Sequence, residues 1–169
     1  MKKQWFTFLG IFLCLFILFQ LLFISSIRGS GTYLSFIHLI TVKPGAFLIG
    51  ILIPDEKILV SGLQILSRNT GLKILNGCEG IEGFLLITCG ILSYQASLWK
   101  KLVGVSAGLL LMESLNLMRV VSLFFTLRQQ KPLFSLLHGY VWPTLILAIG
   151  TLYFLWWSDN VTPVETDAA

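Results

Sequence analysis

Asn76-Gly77-Cys78-Glu79-Gly80-Ile81-Glu82-Gly83 runs directly into an apolar stretch, 84–99. Eight residues hold one thiol, two carboxylates and three glycines. A cysteine at such a border lies where water meets hydrocarbon. Apolar runs of this kind recur along the chain, and their recurrence decides the fold class.

The chain has 169 residues, 56% of them hydrophobic and only 12% charged. Its mean hydropathy is +0.85. Ordinary soluble domains carry about 25% charged residues, so a water-soluble globule is excluded. The length allows a single domain, 1–169. The net charge of +4 is spread over single residues and pairs, such as Lys2-Lys3 and Lys100-Lys101. Pairs that flank apolar runs read as interface anchors, not as a nucleic-acid surface; no nucleic acid is expected as a partner. Of the three cysteines, Cys14 and Cys89 fall inside apolar helices, where a buried cysteine acts as a small hydrophobe. No C-x-x-C pair occurs, which disfavours a disulfide framework or a zinc site.

The expected architecture is an all-α polytopic membrane protein. Its four transmembrane helices occupy 5–27, 80–99, 102–127 and 134–157. The first resembles a signal peptide, but it is too long and lacks an A-x-A-like cleavage site, so it reads as a retained span. Residues 33–53 are long enough to cross. However, His38 and the Lys43-Pro44-Gly45 break fall inside, and a lysine at mid-bilayer costs several kcal/mol. A broken interfacial helix is favoured there, with a fifth membrane helix as the alternative. Residues 58–76 form an outer β-hairpin, turning at Ser67 to Gly71, that leads into the cysteine motif. The polar tail, 158–169, reads as disordered.

With the amino end inside and 33–53 not crossing, Cys78 lies outside, although this leaves Arg28, Lys57, Arg68, Lys73, Arg128 and Lys131 outside too. If 33–53 crosses, the site moves inside. In either case Cys78, the end of the third span and His138 share one leaflet.

Glu113, Asn116, Arg119 and Ser122 are spaced by three in the third span and form one stripe of a helix. An arginine about 12 Å in from the end of that run turns toward the bundle and a partner. A Glu113–Arg119 ion pair is the structural alternative to a catalytic role. Asn116 can hydrogen-bond across helices in either case. His138 opens the last span, with Trp142 one turn on. His38 reads as an ordinary interfacial residue. Cys78 precedes a helix amino terminus, whose unpaired N–H groups favour a thiolate; Glu79 and Glu82 oppose that effect or cap the helix. Such a trio permits acyl transfer: Cys78 as nucleophile, His138 exchanging the proton and Arg119 stabilising the oxyanion. No serine elbow, G-x-x-x-x-G-K or H-E-x-x-H is present. Cys78 and His138 alone are too few ligands for a structural metal, and no cofactor is implied. A membrane scaffold or small transporter subunit, with the polar stripe as a helix–helix lock, is the competing class.

Three stretches carry a family resemblance: Gly77-Cys78-Glu79-Gly80-Ile81-Glu82, Asn116-Leu117-Met118-Arg119-Val120-Val121-Ser122-Leu123, and His138 with Trp142. Over 63–157 the chain resembles the exosortase/archaeosortase family of membrane cysteine transpeptidases, most closely the small exosortase H type. Glu79 stands where an asparagine is usual. The resemblance implies catalytic roles for Cys78, Arg119 and His138, with Gly77, Gly80, Glu82 and Asn116 supporting them. It also implies a site on the outer face of a bacterial cytoplasmic membrane. The implied substrates are secreted proteins ending in a recognition motif, a transmembrane helix and a basic cluster.

Overall fold

A computed structural model describes residues 2–27, 30–75 and 80–161, with backbone only at 2–5 and 26. Among the described residues 79% are helical, and one small sheet is present. Its helices are α1 (Lys2–Leu22), α2 (Gly31–Ile37), α3 (Lys43–Leu52), α4 (Ile81–Ser93), α5 (Leu98–Gln129), α6 (Lys131–Leu136) and α7 (Trp142–Asn160). Three short strands, β1 (Leu59–Ser61), β2 (Gln64–Leu66) and β3 (Gly71–Lys73), lie between α3 and α4.

Among the described residues, four helical segments are long and apolar enough to cross a membrane: Phe6–Ser25, Gly31–Leu52, Leu98–Gln129 and Lys131–Asn160. They are not the four that the hydropathy of the sequence picks out. The run 80–99 yields only the 13 residues of α4, about 20 Å at 1.5 Å per residue, against a hydrocarbon core of about 30 Å. It stops because Tyr94 and Ser97 take extended backbone, with ψ of 144° and 149°.

Conversely, 33–53 is not broken at Lys43-Pro44. A π-type turn, His38–Val42, joins α2 to α3 in one helical segment. A proline ring strikes the carbonyl four residues back, here that of Ile40, and the wider π turn moves that carbonyl aside. The same device recurs at Pro143, whose clashing carbonyl belongs to Gly139. That residue lies within another π-type turn, Leu137–Val141, joining α6 to α7.

The hairpin turning at Ser67–Gly71 is present as β2 and β3, in antiparallel register with Ile65 opposite Leu72. It is extended by β1, so the sheet is a three-stranded meander. Ser67 N–H closes the turn on the Thr70 carbonyl at 2.8 Å. The first residues of the expected tail, Ser158 to Asn160, complete α7, and Val161 is buried; 162–169 lie outside the described residues. Cys89 is buried as expected, whereas Cys14 is exposed on α1.

Two apolar cores lie along α5. One joins α4, α5 and α7 through Ile87, Ile91, Met112, Leu115 and Trp157. The other joins α2, α3, the sheet and α5 through Tyr33, Ile37, Ile49, Ile65, Leu72, Val120 and Phe124. Close approach of α5 and α7 depends on Gly104 and Gly108, a small-x-x-x-small pair. A methyl group at Gly104 would overlap the Trp157 indole, and one at Gly108 would meet Ile87 and Tyr153. On the other side, Thr41, Gly45 and Glu56 meet Glu113, Val120 and Arg128 in turn, so α3 runs parallel to α5. The Arg128–Glu56 ion pair, at 2.5 Å, fastens the far end.

Candidate functional site

Asn116 and Arg119 fall in sequence between the α5 residues of one core, Met112 and Leu115, and those of the other, Val120 and Phe124. Both polar side chains are buried, at 0% and 5% exposure. A buried guanidinium is tolerated only with partners, and both residues are engaged in interactions within the fold.

Arg119 and His138 line one cavity of about 130 Å³, together with Lys73, Ile74, Leu75 and Phe134. The guanidinium charge is close enough to act on the His138 ring. That ring stacks on Phe134, with centroids 5.4 Å apart and planes 11° from parallel. Phe134 therefore fixes the imidazole plane from one turn earlier in α6. Ligand pockets usually exceed about 300 Å³, so this cavity has room for one side chain, not for a long peptide.

Cys78, with Gly77 and Glu79, lies outside the described residues. Both flanks of that segment are described, and both touch the site. On the amino side, Ile74 N–H bonds the Leu63 carbonyl at 2.9 Å, and Leu75 borders the cavity. On the carboxyl side, Gly80 has φ of +78°, in the left-handed region. A Cβ built there would lie 3.0 Å from Asn116 Cγ. Gly80 is thus required twice: for its backbone angle and for its contact with Asn116. Glu82 sits exposed in the first turn of α4, where a carboxylate suits the helix dipole, and it does not line the cavity. Trp142 is buried but is also absent from the cavity wall; the intervening π-type turn changes its angle relative to His138.

Among the described residues no ion pair joins Glu113 to Arg119. Glu113 Oε1 instead accepts a hydrogen bond from Thr41 Oγ1 at 3.2 Å, linking α5 to the π-type turn His38–Val42, which carries Thr41. Sequence reasoning missed Lys73 and Phe134 as neighbours of the site. The spacing of four between Phe134 and His138 is the signal that would have found the second. Among the described residues, no group of three or more His, Cys, Asp and Glu side chains gathers as metal ligands would.

No family model, curated protein or solved structure matches the chain.

Proposed function

We propose that the chain is a membrane cysteine transpeptidase or endopeptidase of exosortase type. In this reading it is a multi-pass protein of a bacterial cytoplasmic membrane with its site facing outward, which, with Gly31–Leu52 crossing, puts the amino end outside as well. It acts on secreted proteins whose tails carry a recognition motif, a transmembrane helix and a basic cluster. One observation carries the reading. Leu75 and Gly80, on either side of the Cys78 segment, border the Arg119–His138 cavity and Asn116 respectively. Only four residues, 76–79, separate these two flanks in the sequence, which supports a reading in which a sulfur, a guanidinium and an imidazole from three distant stretches act together.

The chemistry follows from the residue types. His138 takes the Cys78 proton, and the thiolate attacks the scissile carbonyl carbon. Arg119 donates to the oxyanion. The C–N bond breaks, and the amine leaves with the proton from His138. An acceptor amine or water then attacks the thioester and expels the thiolate.

The test is to trap the intermediate. Full-length protein in a bilayer is incubated with a tail-bearing substrate and analysed by mass. Wild type and Cys14→Ala should give a hydroxylamine-labile adduct on Cys78, and Cys78→Ala none. Processing that survives Cys78→Ala sinks the proposal. The competing reading, a membrane scaffold or transporter subunit, draws on the Thr41–Glu113 bond, a polar lock between helices. It requires Cys78→Ala to be without effect.

A further inference from the structure

A second, larger hollow lies on the other side of β3. It occupies about 680 Å³ between one face of the Gly31–Leu52 segment and the β1–β2 turn. Lys43 approaches from the helix and Lys73 from β3, and both are exposed. His38 Nδ1 lies 2.7 Å from the Gly62 carbonyl. A carbonyl can only accept, so Nδ1 carries the proton and the ring's donor is spent on that carbonyl, which leaves the anion-binding part of the groove to the two lysines. Ser35 and Gln64 add neutral polar groups, and none of the lining residues is acidic. The same hollow exposes Leu34 and Leu39, at 39% and 62%.

Two cations beside exposed leucines call for an amphiphile with an anionic end. The helix that supplies Leu34, Leu39 and Lys43 is itself apolar enough for a bilayer. We propose that this groove binds the phosphate headgroup of an anionic phospholipid, held by Lys43 and Lys73, with an acyl chain along Leu34 and Leu39. A basic peptide would be repelled. A soluble phosphate would leave the leucines uncovered, at a cost of about 25 cal/mol per Å² of apolar surface kept wet. Lys73 stands on the wall shared with the Arg119–His138 cavity, but Lys43 touches only the groove. Lipid binding therefore stands or falls independently of peptide-bond chemistry.

The full chain is held in neutral detergent and titrated with phosphatidylglycerol or phosphatidylcholine of identical acyl chains, and bound lipid is counted by native mass spectrometry. A lysine near an anionic surface is worth about fivefold in affinity. Phosphatidylglycerol should therefore bind about 25-fold more tightly than phosphatidylcholine. Lys43→Gln should reduce that preference about fivefold, and Lys43→Gln with Lys73→Gln should erase it. Lys43→Arg with Lys73→Arg should keep it, as should Lys131→Gln, which removes a cation elsewhere. Circular dichroism checks that each variant remains helical, and the single Lys43→Gln variant suffices if the double variant unfolds. Equal binding of the two lipids, or a preference that survives Lys43→Gln undiminished, overturns the proposal. So does displacement of the lipid by millimolar inorganic phosphate, which identifies a soluble anion, or by an acidic peptide, which identifies a protein partner.

Discussion

Gly80→Ala separates two costs that the fold imposes at one atom. Alanine in the left-handed region costs about 1–2 kcal/mol. Its methyl would also lie 3.0–3.3 Å from three atoms of Asn116, which is fully buried and cannot step aside. Overpacking of this kind costs about 1–3 kcal/mol, giving a total of about 2–5 kcal/mol. Gly62→Ala is the internal control for the first cost, since Gly62 also has positive φ, at +56°, but nothing lies within 4 Å of a Cβ placed there. It should lose about 1–2 kcal/mol only. Gly139→Ala, with open space and an ordinary helical angle, should be neutral or slightly stabilising. The assay is reversible unfolding in mixed micelles by denaturant, followed by tryptophan fluorescence. In the Asn116→Ala background the steric share should disappear, so the two substitutions should couple by about 1 kcal/mol or more. Gly80→Ala no worse than Gly62→Ala, or strict additivity with Asn116→Ala, would refute the claim that Gly80 is wedged against Asn116.

Arg119→Lys keeps the charge but loses the planar fork; it should lower substrate processing about 10²–10³-fold while helicity by circular dichroism stays unchanged. Thr41→Val and Glu113→Ala should each destabilise the protein, with a coupling of about 0.6 kcal/mol in a double-mutant cycle, whereas Glu113→Gln should behave as wild type in the same unfolding assay. Arg128→Ala should cost no more than about 1 kcal/mol, and raising the salt concentration should shrink the difference, because the Glu56 pair is partly solvated.

The sequence made the inward stripe of α5 legible. Desolvation leaves a mid-helix arginine little choice, and Asn116 and Arg119 are buried. The β2–β3 turn was legible as well, since Ser-Arg-Asn-Thr-Gly supplies turn formers between short apolar runs. What escaped depends on backbone detail that hydropathy does not record. Pro44 reads as a break because a π-type turn ahead of it leaves no compositional mark. Residues 80–99 read as a span because Tyr94 to Ser97 carries no charge to interrupt the run, although Tyr94 and Ser97 take extended backbone. β1 is only three residues long, too short for any alternation to register. For the candidate site, Arg119 and His138 could be picked by residue type and depth. The stacking of Phe134 and the approach of Lys73 depend on how α6 and β3 pack, which no spacing within one element specifies.

The length of α5 acts as a measuring rod. Its 32 residues extend about 48 Å, and tilts in bilayers reach about 40°, so even a steeply leaning α5 overshoots a slab of about 30 Å. From Lys101 to Arg119 the distance is only about 27 Å. Were the Trp99-Lys100-Lys101 anchor set at one boundary of such a slab, the guanidinium would arrive at the opposite one. The last three turns would then stand beyond the oil, as a post on which the sheet and Arg128 are mounted.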